Sequence, residues 1–204
     1  MPPEDRIVPR FAAEPPQLPV PGGEWQNKLQ EEFLAACLRI EDEIGEPGTV
    51  SFFPDRTWSG RTYQPAASTT NSGLDLFGLV SFRPPFEEGD EPEGFTATAD
   101  WTDETVEKNP DWTIDICDEV VGGWRGERGE VAAMTVVWGI PVGIDASIAT
   151  AELGGDVVDQ CQLVEGRFTL LAPDAYRGST LEVVLYGASG AEKVRESLYT
   201  DDEE

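Results

Sequence analysis

The chain has 204 residues, with 14 lysines and arginines against 40 aspartates and glutamates, a net charge of −26, and no histidine. The absence of histidine excludes Ser-His-Asp and Cys-His catalysis and His-ligated zinc. The negative charge repels nucleic-acid phosphates and anionic membranes and attracts basic proteins, so we expect no direct binding to nucleic acid or membrane. A highly soluble surface, or adaptation to high salt, is the favoured explanation of the same charge.

The cysteines and the start of the chain indicate a cytoplasmic protein. Cys37, Cys117 and Cys161 lie far apart with no CxxC pair, which is typical of reduced, buried thiols. The first residues contain no apolar segment of the signal-peptide type, and no stretch approaches the length of a membrane span. The sequence contains no cofactor motif, and we assign no metal site and no cofactor.

The two ends are predicted to lie outside the folded domain. Residues 1–23 are rich in proline, which favours extended and solvated backbone. We interpret them as a flexible arm, either free or docked on a neighbour through Phe11 or Leu18. Residues 201–204 form an acidic tail. Residues 24–200 are predicted to form one mainly-β domain, with a division near 142–147 as the alternative.

One long amphipathic helix is predicted over residues 24–44. Apolar residues recur there three or four positions apart, which places them along one side of a helix. Gly45 is a natural helix cap, and Pro47 prevents continuation. The apolar stripe consists of Trp25, Leu29, Phe33, Cys37, Ile40 and Ile44. We expect this helix to pack across the face of a sheet.

The rest of the chain is dominated by short apolar or alternating stretches bounded by glycine and proline, which is typical of β-strands. The predicted strands are 49–53, 74–82, 95–101, 112–121, 131–138, 157–163, 167–171, 180–186 and 193–199. Residues 55–73 are interpreted as turn-rich, and the last two strands as the clearest hairpin. The fold class is therefore α+β and mainly β, with antiparallel sheets in a sandwich- or barrel-like arrangement.

Residues 112–138 are predicted to form the central hairpin of the sheet. Side chains alternate along a strand, so Asp115, Cys117 and Glu119 share one face of the first strand, which we expect to face water. The apolar residues of the same strand occupy the other face. The second strand, 131–138, is apolar on both faces apart from Thr135, which indicates a central strand that is covered on both sides.

Acidic residues in two strands supply the first candidate site. If 95–101 pairs antiparallel with 112–121, Asp100, Asp115 and Glu119 come onto one polar face. Clustered carboxylates can bind Ca²⁺ or Mg²⁺, and two at the right separation can carry out acid–base work on a glycosidic bond. The spacing matches no known cation-binding loop, and a solvated acidic surface is the favoured interpretation.

The glycine-rich turn of the hairpin supplies the second candidate site. Trp124, Arg125 and Arg128 lie among four glycines, where backbone amides beside a guanidinium can hold an anion, or where Trp and Arg can form an interface. A charged hairpin loop without a ligand is the favoured alternative. Cys117 is not expected to act as a nucleophile, because neighbouring carboxylates disfavour a thiolate.

These observations favour a non-catalytic, acidic protein-interaction or assembly module with a protein partner, possibly a basic one. An adaptor, an immunity-type inhibitor and a structural component of a larger particle all belong to this class. The alternatives are a carboxylate- or divalent-cation-dependent enzyme and a small-ligand binder. A deep pocket that gathers the acids would favour the enzyme, and an apolar cavity lined by Trp112, Trp138 and Phe168 would favour the binder. We assign no catalytic residue.

Overall fold

The computed structural model describes residues 24–85, 91–125, 129–176 and 178–199. Over these residues the protein is mainly β, with antiparallel sheets and one helix, as the sequence predicts. The elements are α1 (Glu24–Cys37), β1 (Ser51–Phe52), β2 (Arg56–Trp58), β3 (Arg61–Thr69), β4 (Asp75–Arg83), β5 (Glu93–Thr102), β6 (Ile114–Arg125), β7 (Val131–Pro141), β8 (Ile148–Leu153), β9 (Asp156–Gln162), β10 (Phe168–Asp174), β11 (Leu181–Tyr186) and β12 (Glu192–Ser197). The predicted arm at 1–23 and tail at 201–204 lie outside the described residues.

The strands form three sheets. The first has the order β1-β3-β4-β5, with β2 also paired to β3; the second has the order β10-β7-β6; the third has the order β12-β11-β8-β9. Every ladder between these strands is antiparallel. β10 belongs to the second sheet although its neighbours in sequence, β9 and β11, both belong to the third.

Three apolar cores hold the sheets face to face. Leu29 and Phe33 of α1 pack on the outer face of the first sheet. Met134, Val136 and Trp138 of β7 pack against the inner face of that sheet. The opposite face of the second sheet packs on the third, through side chains that include Val137, Phe168, Leu170, Val183 and Leu185. The order of the layers is therefore α1, first sheet, second sheet, third sheet.

β7 confirms the prediction of a central strand covered on both sides. It lies between β10 and β6, and Val136, Val137 and Trp138 are at most 1% exposed. The strand ends at Pro141, which lacks the amide hydrogen that a further ladder bond would need. The predicted hairpin of the last two strands is also present as β11 and β12.

The helix is shorter than predicted, since α1 has 14 residues and ends at Cys37. The amides of Arg39 and Ile40 bond to carbonyls three residues back, and such a tight turn ends an α-helix. The Arg39 guanidinium also donates to the Ala97 carbonyl of β5 at 2.7 Å. Ile44 still reaches the predicted core, where it is buried, but from irregular chain. The side chain of Trp25 lies outside the described part of the chain.

The sequence predicts a turn-rich segment at 55–73, but this segment contains β2 and β3. Its polar residues and Pro65 hide the strand pattern. Pro65 lies in β3 where the neighbouring strand changes from β1, which pairs as far as Ala66, to β2, which pairs from Tyr63. The missing amide of a proline is tolerated at such an interruption of the ladder. The Pro65 carbonyl still accepts a bond from the Phe53 amide at 3.0 Å.

The polar face of β6 is turned towards the first sheet and not towards open water. Cys117 packs against the core between the first and second sheets, beside Trp138. Alternation along the strand identifies the two faces but gives no information about which layer covers each one. The paired strands also differ from expectation: β5 pairs with β4, and β6 pairs with β7, so the two acidic strands do not pair. Within the described residues, no helix is both long and apolar enough to cross a membrane.

Candidate binding cleft

An open cleft of about 1150 Å³ lies between the first and second sheets, and we refer to it as the cleft. Phe53 and Phe77 line it from the first sheet and Trp138 from the second. Asp75, the first residue of β4, and Asp115 of β6 also line the cleft. Pockets that bind small ligands typically measure about 300–1,000 Å³, so this volume suits a ligand of that size or a short peptide segment.

The sheet ladders fix the positions of the two aspartates. Asp75 is paired with Thr102 of β5, and its Oδ1 accepts a hydrogen bond from the Thr69 hydroxyl at 2.9 Å. Asp115 is paired with Ile140 of β7, whose side chain belongs to the core between the two sheets. The two carboxylates thus enter one cleft from facing sheets.

The environment of Asp115 disfavours its charged form. Burial raises the pKa of this carboxyl, and the nearby carboxylates of Asp75 and Glu107 raise it further. All three residues line the cleft. Burial and the neighbouring negative charges therefore act together against ionisation of Asp115.

Cys117 is the next residue on the same face of β6, and its pKa is raised by the same two causes, burial and nearby carboxylates. Burial raises the pKa of its thiol to about 12, with further contributions from Asp115, Asp118 and Asp75. The thiol is therefore neutral near pH 7, which agrees with the argument that neighbouring carboxylates disfavour a thiolate.

Acidic residues outnumber basic residues along the cleft. The charged residues that line it are Asp75, Glu104, Glu107, Asp115, Glu165, Lys108 and Arg167. Both cations already have partners, since Lys108 bonds to Asp103 at 3.1 Å and Arg167 donates to the Phe52 carbonyl at 3.1 Å. The excess of acidic residues along the cleft favours a positively charged group there.

Two polar side chains of the lining have no hydrogen-bond partner among the described residues. Trp138 is 1% exposed and its indole N–H is unpaired, and Ser68 is 5% exposed with an unpaired hydroxyl. An unpaired buried donor costs about 1–3 kcal/mol, so it is normally satisfied in a native structure. Both residues line the cleft.

The acidic residues selected from the sequence lie in different environments. Asp115 lies in the cleft, whereas Glu119 borders a smaller pocket of about 250 Å³ between the same two sheets. Thr98 of β5 donates to Glu119 at 2.6 Å, which links the facing sheets, while burial and the charge of Asp118 raise the pKa of Glu119. Asp100 is exposed on β5, where its Oδ1 accepts a bond from the Trp101 amide, and it does not line the cleft.

The glycine-rich turn is described only at its start. Trp124 packs edge-to-face on Tyr176 with ring centroids 5.3 Å apart, and Arg125 is exposed as the last residue of β6. Arg128 lies outside the described residues. Trp112 and Phe168 do not line the cleft, so of the three residues predicted to line a cavity only Trp138 does so.

Sequence reasoning missed Asp75 and Glu107. The signal for Asp75 was slight: a carboxylate at the start of a predicted strand, directly after the turn at 71–73. Glu107 lies in the connection between β5 and β6, where nothing in the sequence indicates which sheet it approaches. In the described residues, no group of three or more Asp, Glu or Cys side chains is arranged to hold a metal ion.

Comparisons with known proteins give no family for this chain. It matches no protein-family model, and neither the curated proteins nor the solved structures contain a significant match.

Proposed function

We propose that this protein is a non-catalytic binding protein that holds a basic segment of a protein partner in the cleft. The observation that carries the proposal is the convergence of Asp75, Glu107 and Asp115 in one cleft, where burial raises the pKa of Asp115 and repulsion by the other two carboxylates raises it further. An arginine or lysine side chain entering the cleft would relieve this repulsion, because an opposite charge favours the ionised carboxyl.

The aromatic residues support a cationic occupant. Phe53, Phe77 and Trp138 line the cleft together with the carboxylates, and cations bind favourably over aromatic faces. The Arg167 guanidinium already lies 5.7 Å from the Phe53 ring centre. A peptide also supplies carbonyl oxygens, which are the acceptors that the indole of Trp138 lacks.

The proposal is tested by affinity capture from native lysate with the wild-type chain and two variants. Asp115→Asn removes one carboxylate from the cleft. Asp156→Asn makes the same change of charge at an exposed position on β9, in the third sheet. We expect a basic protein to be retained by the wild type and by Asp156→Asn, and to be retained about tenfold more weakly by Asp115→Asn.

Salt provides the second test of the same complex. Ion pairs in an open cleft are screened, so the partner should be released as the salt concentration rises. Equal loss of the partner from both variants would mean that total charge, and not the cleft, determines binding. No loss from either variant would contradict the proposal.

A carboxylate-dependent hydrolase is the second candidate, because Asp115 enters the cleft beside Asp75. A carboxyl with a raised pKa can act as a general acid while a neighbouring carboxylate acts as base or nucleophile. Chromogenic glycosides test this function with wild type and Asp115→Asn. Turnover by the wild type that is lost in the variant would replace the binding proposal.

A further inference from the structure

Several edges of the stacked sheets are closed by arginine side chains. The buried ion pair of Arg56 and Asp159 joins β2 of the first sheet to β9 of the third at 2.8 Å. Arg56 Nε donates to the Thr169 carbonyl of β10, and its Nη2 donates to the Gln160 carbonyl of β9, both at 3.0 Å. The Leu171 amide of β10 donates to Asp159 at 2.8 Å. Backbone groups at these two strand edges are thus satisfied by side chains.

Arginine side chains also bond to the backbone of β5, the edge strand of the first sheet. On β5, the Ala97 carbonyl accepts from Arg39 at 2.7 Å and the Gly94 carbonyl accepts from Arg61 at 2.9 Å. Capping of edge strands by side chains prevents unwanted pairing with another chain.

β6 is different. It is a 12-residue strand at the opposite edge of the second sheet, and β7 is its one partner strand in the described residues. No side-chain cap on its backbone is seen within the described ranges. An uncapped edge presents a row of N–H and C=O groups to which an extended segment can pair.

The charge of β6 selects the kind of segment that can pair with it. Asp115, Asp118 and Glu119 lie on this strand, and before Arg125 at its end the strand has no basic residue. Burial is the first cause that raises the pKa of each of these carboxyls. Two copies paired through this edge would bring like charges together, which is unfavourable across a ladder. A basic segment is the complementary partner.

We propose that the free edge of β6 binds an extended basic segment of the partner by β-strand addition, with arginine or lysine at alternate positions. This inference rests on the proposed function and names the way in which the partner is held. Backbone hydrogen bonds hold the added strand, and its alternate side chains reach the faces of the sheet. Both the cleft and the smaller pocket border β6, through Asp115 and Glu119 respectively, so basic side chains on that face find acidic positions.

Three kinds of synthetic peptide test the inference on the full-length chain. The first alternates threonine and arginine; the second has the same sequence but is N-methylated at every second residue along one edge; the third alternates threonine and glutamate. N-methylation keeps the charge and removes the donors of that edge. Both N-methyl registers are made, so that either edge can be blocked. We expect the first peptide to bind and to slow hydrogen exchange of the β6 amides, with β12 as the internal comparison. The peptide blocked on the pairing edge should bind about tenfold more weakly or worse.

Protein variants locate the site. Glu119→Gln should weaken binding of the first peptide several-fold, because Glu119 lies on the same face of β6 as Asp115. Asp156→Asn should leave the affinity close to that of wild type. Equal binding of the methylated and unmethylated peptides, or exchange protection that spares β6, would overturn strand addition and leave the proposed function standing. No binding of any arginine peptide at low salt, or equal binding of the glutamate peptide, would overturn the proposed function itself.

Discussion

At the scale of single residues, Arg56 is a buried side chain that links all three sheets. It is 1% exposed, and it contacts the second and third sheets from a strand of the first. Burial raises the pKa of its partner Asp159, and the positive charge of Arg56 opposes this rise. The charge of the guanidinium therefore offsets part of the energetic cost of burying the Asp159 carboxylate.

Arg56→Met should destabilise the protein by about 3–5 kcal/mol, because it leaves Asp159 buried and without its cation. The measurement is chemical denaturation at neutral pH. Arg83→Met is the matched control, since the Arg83–Glu93 pair is 3.7 Å apart with both side chains mostly exposed, and it should cost at most about 1 kcal/mol. Similar small losses in both variants would contradict the assigned role of Arg56.

Asp115→Asn should stabilise the folded protein at neutral pH. The pKa of Asp115 is raised above its ordinary value of 3.8, so the folded chain binds a proton more readily than the unfolded chain. The free energy of unfolding that this group contributes therefore falls as the pH rises from 3.8 through the raised pKa.

Urea denaturation of wild type and Asp115→Asn across this pH range tests the prediction. The stability difference should grow through the titration interval and then remain constant. A variant less stable than wild type at neutral pH, or a difference that does not change with pH, would show that the carboxylate is not under electrostatic strain.

At the scale of elements, α1 contributes through a narrow set of buried side chains. Phe33 is fully buried against the first sheet, whereas Leu38, directly after the helix, is 81% exposed. Phe33→Ala should cost about 3–5 kcal/mol, from lost burial and the cavity that remains. Leu38→Ala should change stability by no more than about 0.5 kcal/mol. Paired denaturation curves measure both, and equal losses would show that the packing of α1 is not what the stripe predicts.

The elements predicted best from the sequence are those in which the side chains of each face lie in one kind of environment. The apolar residues on both faces of β7 predict a covered strand, and the apolar stripe of α1 predicts a helix that packs on a sheet. β3 was missed because proline, glutamine and threonine occupy a strand whose neighbours change partway along it. The end of α1 was missed because Arg39 bonds to Ala97, a contact made across the fold.

The candidate site was less predictable for the same reason. Asp115 could be selected because it alternates with apolar residues, but its partner Asp75 comes from the facing sheet, and the stacking of sheets leaves no pattern in the sequence. The ion pair of Arg56 and Asp159 joins residues 103 positions apart. Chemistry that depends on the meeting of distant strands becomes visible only when the layers are known.

At the scale of the whole molecule, the net charge of −26 should make stability depend on salt. Like charges on a compact chain repel one another, and salt screens them over a distance of about 10 Å at 0.1 M. The melting temperature should therefore rise by several degrees between low salt and about 1 M potassium chloride. Chloride is preferred to sulfate, which stabilises folded proteins by exclusion from their surface. A melting temperature that is flat or falls with salt would mean that the acidic residues are spaced widely enough not to repel.

The position of β10 has a consequence for how the chain folds as it is synthesised. The helix and the first sheet come from one continuous stretch, residues 24–102, and can assemble as soon as that stretch has left the ribosome. The second sheet cannot be completed until β10 has emerged, after β8 and β9. Until then, one edge of the largely apolar strand β7 has no neighbour. During translation this is the interval in which we expect the nascent chain to be most prone to aggregation, and in which a chaperone would be of most use.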